Sequence, residues 1–544
     1  MKALFSRLVS GIERTPISAW EWLFGAAGIL FVRFLLENFT TASASGIIAS
    51  DAPTLVHYLL TFFACALALA VVGAALAPEK RDAWLKISLF GLLLTWISPL
   101  IDLISREQMA YLFDVPDNLL RDFLTFFGPL VSRGVSTGLR FEIALILIIL
   151  FIFLRWYAGK SWAKSLFGAV LGYAALFIIG SMPSLIYALH VSVSPSVPLL
   201  FSPNPIADYL SNTFSHSLIA KNFLHPTELL DSSVRYFEIY FDAAMGCIMY
   251  ILCVSLAALY VFLAWPEKIK SVLKNSRPER VAHYFILIVA GIVIAAAEYR
   301  VSWRGWPDIL SILILFFSFY AAWMYAAGRN DIEDIATDRI SNPERPLVAG
   351  SLSISEMESF NAFFLVAALL GGFLAGYYAL YMVLAYILLS HIYSCRPLRL
   401  KRFPVVSSFV ISLASLAALM AGYFFWGTNP VISSFHVSWA VLVVIFFTLA
   451  ANIKDIKDFE GDKMSGVHTI PVMFGAEKGR RIIALCCMLA LLAVPLLLDR
   501  AILFAASIPT AVFAWIVMTR DPFREKNVFA LYFLFFALVA VILI

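Results

Sequence analysis

Residues 306–338 read WPDILSILILFFSFYAAWMYAAGRNDIEDIATD. An apolar run ends directly in an acidic cluster: Asn330, Asp331, Glu333, Asp334 and Asp338. About 20 apolar residues are enough to cross a bilayer as a helix. An ionised carboxylate at the edge of hydrocarbon is costly, so such a cluster marks a functional site by default. The pattern returns near 435–462, where an apolar run ends in Asp455, Asp458, Glu460 and Asp462. Each cluster contains Asp-x-x-x-Asp, as Asp334/Asp338 and Asp458/Asp462. Two such clusters point to a divalent-metal and diphosphate site at a membrane face.

The rest of the chain agrees with a membrane setting. Of 544 residues, 61% are hydrophobic and only 14% are charged, which excludes a soluble globular protein. The short alternating segments of an outer-membrane barrel are absent. The backbone must then satisfy its hydrogen bonds within helices, and the predicted fold class is all-α and polytopic. Six spans are expected in the first half, near 20–37, 54–77, 84–104, 139–155, 165–188 and 238–264. Nine more are expected near 282–298, 306–328, 360–375, 377–394, 405–427, 435–452, 482–498, 501–518 and 527–544. The charged stretch 266–283 separates the two sets. It divides the chain into a six-span domain of unknown role (1–265) and a nine-helix domain (266–544).

Loop charge orients the second half. One alternating set of its loops carries 21 Lys and Arg, while the other holds only Arg300, Arg304 and Arg500. The positive-inside rule places the first set, and both acidic clusters with it, on the cytoplasmic side of what is expected to be a bacterial inner membrane. Segments 105–137 and 189–237 fall on the outer side, with Leu120–Val131 as a candidate interfacial or re-entrant helix. Arg33, within the first span, is expected to snorkel or pair with a neighbour. Asp102 is expected to reach the interface. The net charge of +4 is small and gives no nucleic-acid surface. The six cysteines form no CxxC, so neither zinc nor a disulfide framework is indicated.

On a helix, Asn330, Asp334 and Asp338 form one stripe, with Asp331 beside it. Asp458 and Asp462 repeat the stripe, and Asp455 precedes them by about a turn. Like charges at these spacings repel, and Mg2+ is the natural counterion because it prefers carboxylate and phosphate oxygens. A diphosphate held there needs cationic donors. Arg345 follows the first cluster, the loop 393–402 supplies Arg396, Arg399, Lys401 and Arg402, and Lys454, Lys457 and Lys463 bracket the second. Arginine grips phosphate as a fork, whereas lysine acts as a point charge.

These residues resemble the UbiA superfamily of intramembrane prenyltransferases over about 282–544. The resemblance is carried by Asn330-Asp331-x-x-Asp334-x-x-x-Asp338, Arg345-Pro346, the Tyr393-Ser394…Leu400-Lys401 segment, and Asp458-x-x-x-Asp462 followed by Gly466, Thr469 and Pro471. It implies nine helices around a cavity open to lipid, with Mg2+ bound by Asn330, Asp331, Asp334, Asp338, Asp455, Asp458 and Asp462. It further implies a polyprenyl diphosphate donor whose diphosphate meets Asn330, Arg345, Arg399 and Lys454. Asp334, Asp338, Asp458, Asp462, Tyr393 and Lys401 would be the catalytic set. The Tyr-x-x-x-Lys element of many members is here the longer Tyr393…Lys401 form, similar to chlorophyll synthase-like members. The expected reaction is Mg2+-dependent prenyl transfer to a lipophilic or aromatic acceptor within the membrane lipid. Two alternatives share the site: phosphoribosyl transfer to a polyprenyl phosphate, and ion-coupled transport.

Overall fold

The computed structural model describes residues 2–39, 52–106, 119–128, 135–193, 213, 218, 235–299, 305–427, 431–464 and 467–543. Among them there is no strand, and 14 helices are long and apolar enough to cross a membrane. The chain is an integral membrane protein. The final helix, Glu525–Leu543, occupies the position of the fifteenth expected span. Most of the outer segment 189–237 lies outside the described residues, as do Gly466, Arg300 and Arg304. Of the candidate re-entrant stretch, Leu119–Thr125 is a short helix, and 129–134 falls outside the described residues.

The chain forms two compact units: Met1–Ile269 with Arg304–Ile314, and Lys270–Trp303 with Leu315–Ile544. The first contains α1 (Ala19–Glu37), α2 (Ala52–Leu76), α3 (Arg81–Gly91), α4 (Ile97–Ser105), α5 (Thr137–Ile152), α6 (Trp162–Gly180) and α7 (Arg235–Ala264). The span expected at 84–104 lies within one continuous crossing, Pro78–Ser105, in which a 3-10 stretch at Leu92–Trp96 joins α3 to α4. The core packs Val72, Trp84, Leu150, Phe153 and Tyr260 together. Gly73 makes room for the indole: a Cβ there would sit 2.3 Å from Trp84.

Two polar residues of this unit depart from expectation or sharpen it. Asp102 does not reach an interface but is fully buried. It accepts hydrogen bonds from Gly138 N (2.8 Å) and Ser136 Oγ (2.7 Å), so its charge is spent on the first turn of α5. Arg33 pairs with a neighbour, reaching Glu37 at 2.9 Å and Glu142 at 3.5 Å.

The second unit contains α8 (Pro278–Tyr299), most of α9 (Trp306–Glu333), α10 (Ile354–Ala375), α11 (Tyr377–Ser394), α12 (Pro404–Trp426), α13 (Val437–Ala450), α14 (Ala476–Leu497), α15 (Phe504–Thr519) and α16 (Glu525–Leu543). Helices α8 and α12 meet backbone to backbone. A Cβ on Gly291 would lie 2.0 Å from Leu419 O, and one on Gly422 would lie 2.0 Å from Ile288 O. Small residues allow this closeness, and in a bilayer it replaces the missing hydrophobic drive between helices. Ser353 and Glu356 form a capping box that starts α10. Gly376, at φ +118, ends α10 and opens α11, a backbone position few L-residues tolerate. Four spans thus separate the acidic clusters, α10 to α13, and both clusters end at one site.

Candidate active site

The first acidic cluster is not one unbroken helix. Helix α9 stops at Glu333, Asp334 takes φ −106 and ψ 10, and a short helix resumes over Ile335–Ser341. The four-residue ladder survives the break, with Asp334 N bonding Asn330 O at 3.0 Å and Asp338 N bonding Asp334 O at 2.8 Å. The second cluster is similarly segmented. Asp455 ends a 3-10 stretch, Ala451–Ile456, while Asp462 sits on the short helix Phe459–Met464. Asp462 N still bonds Asp458 O, at 2.9 Å. Mutual carboxylate repulsion disfavours a longer helix, and the breaks turn the acids toward a shared space.

Gly461 lets the two short helices touch. A Cβ there would stand 2.0 Å from Ser341 Oγ and 3.2 Å from Thr337 Cγ2. A hydrogen-bonded relay also crosses the gap: Lys457 Nζ donates to Asn342 Oδ1 at 3.1 Å, and Asn342 Nδ2 donates to Asp338 Oδ1 at 3.2 Å.

Between the clusters lies a cavity of about 320 Å³. Asn330, Asp334, Asp338, Asp455, Asp458 and Asp462 line it, as do Arg345, Tyr393, Arg399, Lys401 and Lys454. Eleven of the twelve site residues expected from sequence therefore share one chamber. Asp331 is the twelfth. It is 2% exposed and is held instead by Arg277 and by Arg345 at 3.1 Å.

Every acid of the first cluster is engaged by a cation. Asp334 receives Arg399 at 2.9 Å and Lys401 at 2.5 Å. Lys401 also donates to Asn330 Oδ1 at 3.1 Å, which Ser394 Oγ shares at 3.0 Å. Arg345 bonds Asp338 as well as Asp331. Lys454 contacts the Tyr393 hydroxyl and lies 4.7 Å from the centroid of its ring. Burial pushes the Asp338 carboxyl up to about 6, against the pull of Arg345 and with help from Asp331 and Asp334. Burial also depresses the Lys401 ammonium, and the Asp334 carboxylate opposes that shift.

The second cluster is less well compensated. Asp462 is pushed up to about 7 by burial and by the neighbouring Asp455 and Asp458 carboxylates, with only Lys454 among cations pulling the other way. Among the described residues no three His, Cys, Asp or Glu side chains are gathered as a ready-made metal site. The donor set nevertheless suits Mg2+. It consists of carboxylate oxygens, it carries unrelieved negative charge, and Mg2+ keeps waters and takes only one or two carboxylates together with phosphate oxygens.

The wall beyond the acids mixes aliphatic side chains with aromatic ones. Tyr284 meets Tyr386 edge-on at 4.9 Å between centroids, and Phe447 stands 6.0 Å from Tyr532. His283 bridges Tyr532 OH (2.9 Å) and Ser415 Oγ (3.0 Å). Sequence reasoning passed over Arg277, Asn342, Gly461 and His283. Only Arg277 carried a signal, as one of several cations in a charged linker. The other three acquire meaning from contacts between residues more than 100 positions apart.

An all-α membrane bundle with two facing Asp-x-x-x-Asp clusters, a ring of Arg and Lys, and an aromatic chamber is the architecture of an intramembrane enzyme that handles diphosphates. The comparisons are more specific. The UbiA prenyltransferase family matches residues 285–539. Digeranylgeranylglyceryl phosphate synthase of Sulfolobus acidocaldarius is 30% identical over 217 residues, which cover 40% of this chain and 73% of that one. The 2-acyl-4-prenylphloroglucinol 6-prenyltransferase of Humulus lupulus is 30% identical over 195 residues, 32% of this chain and 44% of that one. A UbiA homologue from Archaeoglobus fulgidus, solved with GPP and Mg2+, aligns over 49% of this chain and 96% of its own at 19% identity and TM-score 0.39. The chain belongs to the UbiA prenyltransferase family. It is an enzyme of the prenyltransferase type.

Proposed function

We propose that the second unit transfers a prenyl group from a polyprenyl diphosphate to a lipophilic acceptor, with Mg2+, at the cytoplasmic face of a bacterial inner membrane. The carrying observation is that acids of both clusters, Arg345, Arg399, Lys401 and Lys454 line one cavity whose wall also carries Tyr284, Trp323, Tyr386, Phe446, Phe447 and Tyr532 among aliphatic side chains. Asp334 and Asp338 on one side and Asp458 and Asp462 on the other would hold the metal, with Asn330 and Asp455 as supporting oxygen ligands. The metal would neutralise charge on the departing diphosphate.

The chain's own residues do the rest. In this structure the cations rest on acids, Arg399 and Lys401 on Asp334 and Arg345 on Asp338. A diphosphate offers the same cations a second set of anionic oxygens. Shifting them onto it stabilises the leaving group as charge builds, and it frees the carboxylates for metal. Burial lowers the Lys401 ammonium and the Asp334 carboxylate opposes the shift, so an adjacent anion favours its charged form. It is therefore held ready for a phosphate oxygen. Tyr393, touched by Lys454, would orient that second lysine. Tyr284, Tyr386, Phe446 and Phe447 present ring faces and edges to the chamber. Ring faces stabilise the allylic cation that forms, and apolar walls keep out the water that would quench it.

The test uses purified full-length chain in nanodiscs with radiolabelled geranylgeranyl diphosphate and Mg2+. Release of diphosphate that requires Mg2+, and that is lost in Asp458→Asn, supports the reading. Metal-independent release, or release that survives the substitution, overturns it.

A further inference from the structure

The first unit holds a second cavity, also of about 320 Å³, which is within the size of small-molecule sites. Its wall is mainly apolar, and Phe62, Phe126, Tyr173 and Phe177 contribute aromatic surface. Arg33 and Glu142 also line it, from α1 and α5. Both are almost fully buried, Arg33 at 1% and Glu142 at 3% exposed. Ionised groups inside a bilayer are costly, and they face cavities or partners where they persist.

The guanidinium is already committed. It donates to Thr95 O at 2.7 Å, contacts Glu37 at 2.9 Å, and stands 4.3 Å from the centroid of the Phe62 ring. Glu142 is not committed to the same degree. Its Oε2 is 3.5 Å from Arg33, beyond a good hydrogen bond, and has no hydrogen-bond partner. Two carboxylates thus share one guanidinium, and Glu142, which lines the chamber, keeps one acceptor without a hydrogen-bond partner. A pair retained only to lock helices together would leave neither the space nor the unmatched oxygen. An orphaned buried acceptor destabilises the fold, and a donor from a ligand would remove that penalty.

We propose that the first unit is a ligand-binding domain whose cavity takes an apolar molecule with a hydrogen-bond-donating polar end, an amine or an alcohol, bonded to Glu142. An anionic headgroup is disfavoured, because it would meet the surplus carboxylate while Arg33, the only Arg or Lys among the described residues lining the chamber, is already shared. The site concerns the first unit alone and does not depend on the chemistry proposed for the second.

The test places full-length protein in phosphatidylcholine nanodiscs and exposes it to diazirine-bearing dodecylamine, dodecanol or dodecanoate, with crosslinks mapped by peptide mass spectrometry. The amine and the alcohol should label positions around Phe62, Ile146 and Phe177 at least fivefold more than dodecanoate does. Glu142→Gln, which keeps an acceptor and drops the charge, should reduce amine labelling and spare the alcohol. Glu142→Leu should reduce both at least tenfold. Ile146→Trp, which fills the chamber from α5, should abolish labelling by both without touching the charged cluster. The last variant decides the matter if Glu142→Leu does not fold, as judged by its melting temperature. Equal labelling by dodecanoate, or amine and alcohol labelling that survives Ile146→Trp, overturns the proposal.

Discussion

Gly461→Ala tests whether the two acidic clusters work only at the separation seen here. The new methyl would lie 2.0 Å from Ser341 Oγ, about 1.4 Å inside the 3.4 Å at which ordinary contact begins. Rotating the serine hydroxyl relieves that clash but leaves Thr337 Cγ2 at 3.2 Å and Ser341 Cβ at 3.3 Å. With the hydroxyl held where it is, the helix carrying Asp462 must move away from the helix carrying Asp338 by about 1 Å; with the hydroxyl rotated, the two remaining contacts ask for only a few tenths of an ångström. A displacement of about 1 Å at a reacting centre can cost about 10²-fold. We expect kcat/KM to fall about 10–100-fold, or about 1.4–2.7 kcal/mol of transition-state stabilisation. Stability should not fall with it, because Ala outranks Gly in a helix by about 1 kcal/mol and Gly461 has no positive φ. The assay is diphosphate release in nanodiscs alongside thermal unfolding. Repeating Gly461→Ala in a Ser341→Ala background removes the closest contact, and the penalty there should shrink at least threefold, a direct coupling of the two positions. Wild-type kcat/KM in Gly461→Ala, or an undiminished penalty in the Ser341→Ala background, refutes the reasoning.

Three further outcomes are expected. Asp334→Asn and Asp458→Asn should each reduce turnover at least about 10³-fold while the protein still inserts; residual activity near wild type in either, measured by product formation, removes that residue from the site. Arg345 reaches both Asp331 and Asp338 through Nη1, which leaves the rest of its fork for a phosphate; Arg345→Lys keeps the charge but loses that fork, so kcat/KM should drop about tenfold, and full activity would show that charge alone suffices. Finally, Mg2+ must displace protons from Asp338, near 6, and Asp462, near 7. The sign follows from the raised values: below them these acids are protonated and compete with metal, so the half-saturating Mg2+ concentration should fall as pH rises from 6 to 8. Half-saturation that is flat across this range in a titration of activity would mean that neither proton is released.

The acidic clusters were legible because hydrophobic sequence makes every intramembrane carboxylate conspicuous. Asp334, Asp338, Asp458 and Asp462 stand out against 61% hydrophobic residues, and an even number of spans between them requires one face. The loop cations were legible by the same contrast. The partners of each acid were not. That Lys401 rather than Arg402 reaches Asp334 depends on Arg399 adopting φ +43 and on the 3-10 turn that follows. Helical spacing put Asp331 on the stripe beside Asp334, yet the local rotation of α9 turns it to Arg277, which lies 54 positions earlier. Gly461 is silent in sequence because its meaning is the distance to Ser341, 120 positions earlier. In the first half, Arg33 could be expected to pair, but Glu142 could not be chosen as a partner, since it lies on a helix more than 100 positions away.

The charges of the candidate site are balanced unevenly between its two halves. Carboxylates crowded in a low-dielectric chamber would repel one another and destabilise the bundle. In the first cluster Arg277, Arg345, Arg399 and Lys401 absorb that repulsion. In the second, the strain is left standing at Asp462, whose carboxyl is pushed furthest toward its neutral form. The two halves of the site therefore start from different states: one holds its cations on its own acids, and the other is short of cations. A metal diphosphate supplies what each half lacks, anionic oxygens for the guanidinium and ammonium groups on one side and positive charge for Asp455, Asp458 and Asp462 on the other. The second cluster should govern metal affinity and the first should govern diphosphate affinity. Asp462→Asn ought to raise the half-saturating Mg2+ concentration more than the KM for donor, and Arg399→Ala ought to do the reverse. Equal effects on both constants in both variants would show that the two halves do not divide the work in this way.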